Sequence, residues 1–219
     1  MAWIVQTSLA AIDSPQYEME AEDLQLLDQM ASDIAAEMSR LDMEHPNHVF
    51  NAQWVAPQYG FRYPKLDRPL RINIKKMVGP LPDFMGYIVT EKVREYIESV
   101  EPGVHHFMPV EVTMPDGSMG EPRFFLNVCV RIGSVILEKS PGVTLIDHPR
   151  IPDLKVHWAD FGVRDQITLD RETIRGHAIW YEYQIGRNFM SDDFHAFIKE
   201  NSLRGFEIKP FGFQRAEEA

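Results

Sequence analysis

Two hydrophobic periods run along this chain. In LRINIKK (70–76) and RFFLNVCVRI (123–132) apolar residues alternate or run continuously, the pattern of strands. From 18 to 42 the apolar residues Leu24, Leu27, Ala31, Ile34, Met38 and Leu41 recur at three- and four-residue steps. That spacing predicts one long amphipathic helix with a dry stripe, started by Ser14-Pro15. Val93, Tyr96, Ile97 and Val100 mark the inner face of a second helix over 91–100, capped by Thr90. Ser191 caps a third, short helix in DDFHAFIKENS, and Gly205 suits its positive-φ exit. Strands are predicted at 2–7, 103–114, 123–132, 176–185 and 206–211, with shorter ones at 135–138 and 153–157. PDGSMGEP (115–122) is the turn of a hairpin whose return strand, apolar on both sides, belongs in the middle of a sheet. The fold class expected is α+β: a mostly antiparallel sheet, a long N-terminal amphipathic helix and two short helices.

Segment composition divides the chain further. Residues 1–45 make an N-terminal strand and helix, an arm of the same domain. Residues 46–69 are a Pro- and aromatic-rich crossover, 70–211 an α+β core, and 212–219 a tail expected to fray. At 219 residues with 44% hydrophobic content the chain can bury a sizeable core. Its only cysteine, Cys129, excludes an internal disulfide framework and reads as a buried thiol in a strand. No run approaches the roughly 20 apolar residues of a membrane helix. With no secretory signal in MAWIVQTSLAA, the expected location is the cytoplasm.

Charge changes this picture most. The formal net charge is −11, and residues 1–45 carry ten acids against Arg40 alone. The stretch YEMEAEDLQLLDQMASDIAAE (17–37) holds seven carboxylates and no base. Such a surface argues against nucleic acid, which needs clustered Lys and Arg, and permits a basic protein partner, the alternative being a solvated helix face. Glu18, Glu22, Asp28, Asp33 and Glu37 are the candidate rim of a partner-binding surface; Trp54, Tyr59, Phe61 and Tyr63 of the crossover are its candidate anchors.

Candidate chemistry is sparse. His105 and His106 adjoin on a strand and point to opposite faces, so they do not chelate one ion together. No HExxH, CxxC, GxSxG, GxxxxGK[ST] or GxGxxG pattern occurs. No catalytic residue, metal or cofactor is therefore expected, and the chain reads as a non-enzyme. The alternative is a small-molecule-binding or hydrolytic domain using His157, Asp160 and His177; a third reading is a self-associating module, a homodimer.

The order of several motifs resembles the Imm11 family of bacterial immunity proteins. They are His105/His106-Phe107-Met108-Pro109-Val110, Phe124-Phe125-Leu126-Asn127-Val128, Ser191 to Phe194, and Leu203-Arg204-Gly205 through Pro210. The likeness covers about residues 70–211. It departs from the family pattern at Tyr181-Glu182, where the family often has an aromatic-Arg pair. The resemblance implies a non-catalytic protein that binds a cognate toxin, with motif residues serving as scaffold. It also implies that specificity lies outside the shared part, where 17–37 is expected to fall.

Overall fold

The computed structural model describes residues 2–4, 15–30, 66–77, 79–147, 155–159, 167–182, 185, 187–206 and 215–218. In chain order these form β1 (Ala2–Ile4), β2 (Gln16–Met19), α1 (helical over 21–30), β3 (Leu70–Lys76), β4 (Phe84–Met85), β5 (Ile88–Thr90), α2 (Glu91–Val100), β6 (His106–Thr113), β7 (Arg123–Asn127), β8 (Arg131–Ile132), β9 (Val143–Asp147), β10 (Lys155–Ala159), β11 (Thr168–Leu169), α3 (Arg171–Ile174), β12 (Ile179–Glu182), β13 (Arg187–Ser191), α4 (Asp192–Glu200) and β14 (Arg215–Glu218). The class is α+β, but the strands build two six-stranded sheets and a two-stranded ribbon. The first sheet has the order β11-β14-β1-β13-β12-β8, the second β2-β3-β6-β7-β5-β4, and the ribbon is β9-β10. Antiparallel pairs predominate, while β3–β6, β8–β12 and β11–β14 are parallel.

The hairpin β6–β7 has the expected place: β7 lies between β6 and β5. Beyond Asn127 the predicted strand 123–132 divides. Residues 128–130 leave the second sheet, and Arg131 and Ile132 pair with β12 of the first. Cys129 falls in this crossing, half-buried and outside any strand. The segment expected as a strand at 135–138 instead makes a bridge from Val135 to Leu169 and a 3₁₀ turn at Leu137–Lys139.

Three tight clusters account for the layers. One joins the inner faces of both sheets to the buried sides of α2 and α4, through Val93, Ile97, Leu126, Ile179, Met190, Phe194 and Ile198. A second covers the other face of the second sheet with α1, packing Leu27 and Met30 on Leu70, Ile72, Met108 and Val110. A third lies beyond the first sheet around Trp180 and Phe189. Alternation along each strand sorts residues between clusters: Ile179 faces one and Trp180 the other. No helix among the described residues is long and apolar enough to cross a membrane.

The N-terminal region differs most from expectation. The predicted helix over 18–42 is helical at 21–30, and residues 31–42 lie outside the described residues. Gln16–Met19 form a strand paired with β3, so the helix does not begin at 18. Its dry stripe is also rotated: Leu24 is 48% exposed, whereas Asp23, Leu27 and Met30 are buried. Asp23 turns inward because two arginines of the β3 region wait for it there. At the other terminus, residues expected to fray form β14, which pairs with β1 and β11. β1 thus has neighbours on both sides, with β13 on the other.

The exit of α4 is fixed by backbone geometry. Gly205 has φ +93°, and a Cβ there would collide with the carbonyl oxygen of Phe84. That close approach lets the Phe84 N–H donate to the Arg204 carbonyl at 3.0 Å. The Arg204 N–H donates to Asp83 Oδ2 at 3.0 Å, and its guanidinium to the carbonyls of Pro80 and Leu81.

Candidate functional site

α2 ends in an acidic residue. Its C-cap is Glu101, and no basic residue occupies its last turn. The helix macrodipole disfavours a carboxylate at this end, so some other interaction must hold it. Glu101 is only 4% exposed. Its Oε2 accepts from His105 Nε2 at 3.0 Å and from the Ala178 N–H at 2.6 Å. Its Oε1 accepts from His177 Nδ1 at 2.7 Å. One carboxylate therefore ties the end of α2 to the approach to β6 and the start of β12.

Hydrogen bonding also fixes the protons. The Cys129 N–H donates to His105 Nδ1 at 3.2 Å, which leaves Nε2 of that ring as the donor to Glu101. Burial alone would raise the carboxyl pKa of Glu101. Hydrogen bonds from His105 and His177, with the Ala178 N–H, outweigh it and hold the pKa down at about 2. His105 is enclosed, whereas the His177 side chain is 28% exposed. It lines a cleft of about 430 Å³ between α2, α3 and the first turn of α4.

The candidate rim is built differently. Glu18 on β2 pairs with Lys75 at 3.1 Å, and Glu22 on α1 with Arg71 at 2.9 Å. Glu20 accepts from the Asn73 side chain. Asp23, completely buried, accepts from the Arg71 N–H at 2.7 Å and pairs with the Arg68 and Arg71 guanidiniums. Burial would raise its carboxyl pKa, but hydrogen bonds from Arg68 and Arg71 hold it below the usual range. Asp28 is exposed on α1. Asp33, Glu37, Trp54, Tyr59, Phe61 and Tyr63 lie outside the described residues. The structure thus brings Glu18 and Glu22 together on one face and ties both to cations of β3.

Of the alternative catalytic trio, His177 has a carboxylate partner, Glu101. His157 lies on β10, opposite Leu145, and Asp160 lies outside the described residues. Among the described residues no group of three or more His, Cys, Asp and Glu is placed to hold a metal ion. Ser191 Oγ is occupied by the α4 cap, accepting from the Phe194 N–H at 3.2 Å. Glu101 and Asp23 were not singled out from sequence. The available signal for Glu101 was an acid at a helix C-terminus, four residues before a histidine. Asp23 gave none, being one acid among seven.

The described residues build an α+β scaffold stitched by buried charge, with Met108, Val110, Leu126, Val128 and Phe194 in its core, Ser191 at a helix cap and Gly205 at a helix exit. The chain belongs to the Imm11 immunity protein family, whose model matches residues 16–212. No curated protein matches it. The matched range reaches further toward the N-terminus than the motif likeness over 70–211. It includes the acidic stretch 17–37, which does not fall outside the family's shared part.

Proposed function

We propose that this chain is an immunity protein that binds the toxin domain encoded beside it and neutralises it without catalysis, in the cytoplasm of the producing cell. The observation that carries this reading is the family match over residues 16–212. The toxin-facing surface we assign has Glu18, Glu22, Asp28, Asp33 and Glu37 at its rim and Trp54, Tyr59, Phe61 and Tyr63 as anchors, against a basic toxin surface. Lys75 and Arg71 reduce the effective charge of Glu18 and Glu22 within this rim. The reading is tested by expressing the neighbouring toxin domain in a host with and without this chain. Growth restored only when the chain is present supports it; equal growth arrest in both contradicts it.

One observation favours a second reading, ligand binding or hydrolysis at His177: its imidazole is oriented by a buried carboxylate and borders a cleft. The two separate through His177→Gln. Protection of the host that survives this substitution contradicts a catalytic role for the ring.

A further inference from the structure

We draw no further inference here: the strongest candidate, the ribbon β9–β10, which pairs with no other strand among the described residues and leaves Leu145 and Ile146 exposed on β9, is an unpartnered apolar surface, and nothing in the structure shows what covers it.

Discussion

Glu101 shows how one residue can hold a fold together against its local preference. A carboxylate at a helix C-terminus is unfavourable, yet four donors from two other parts of the chain converge on it. Its pKa falls from an ordinary 4.5 to about 2, so its contribution to stability is fully present above 4.5 and is lost as pH falls toward 2. The depression corresponds to about 3 kcal/mol. Acid unfolding of the wild type should steepen between those two values, and Glu101→Gln should flatten that part of the curve. A Glu101→Gln curve parallel to the wild type throughout would contradict the assignment. Gly205 offers a second test at this scale. Gly205→Ala should destabilise by about 2 kcal/mol or more, since the new methyl meets the Phe84 carbonyl at a positive φ; a chemical denaturation midpoint checks it. The glycine was legible as a helix exit from LRG alone. The carboxylate hub was not, because its partners His177 and Ala178 lie more than 70 residues away.

At the level of elements, periodicity located α2, α4 and β6 because each buries one face, and β7 because its apolar run is buried on both. It misjudged α1, where a buried acid replaces a leucine on the inner stripe. Hydrophobic spacing cannot register an Asp that is satisfied by arginines 45 and 48 residues along the chain. Short elements were missed for a related reason: α3 and β11 have too few residues to display a period. The Asp23 network makes α1 and β3 one unit. Asp23→Ala should loosen it by about 2 kcal/mol, because Arg71 loses its backbone and side-chain acceptor. Both arginines keep access to water, which moderates the cost. Hydrogen exchange at residues 16–30 and 70–76 would report the loss; unchanged protection there would contradict the coupling.

On the scale of the whole molecule, charge asymmetry was plain in the sequence, but its effective size was not. Ten acids in the first 45 residues suggested an uninterrupted acidic face. Folding brings Lys75, Arg68 and Arg71 of β3 and its approach against that face and pairs them with Glu18, Glu22 and Asp23. Charge reversal at Glu18 and Glu22, and separately at Asp28, Asp33 and Glu37, should slow association with a basic toxin. Both effects should fade as salt is raised. Stopped-flow association rates at two ionic strengths check both. The central claim, neutralisation by binding alone, is tested most directly by titrating the purified chain into the neighbouring toxin domain while following the toxin's own activity. The account predicts that activity falls in proportion to added chain and reaches its floor near an equimolar ratio. It also predicts that both proteins are recovered unmodified. Activity that persists at a large excess of the chain, or that is abolished by a trace of it, would contradict it.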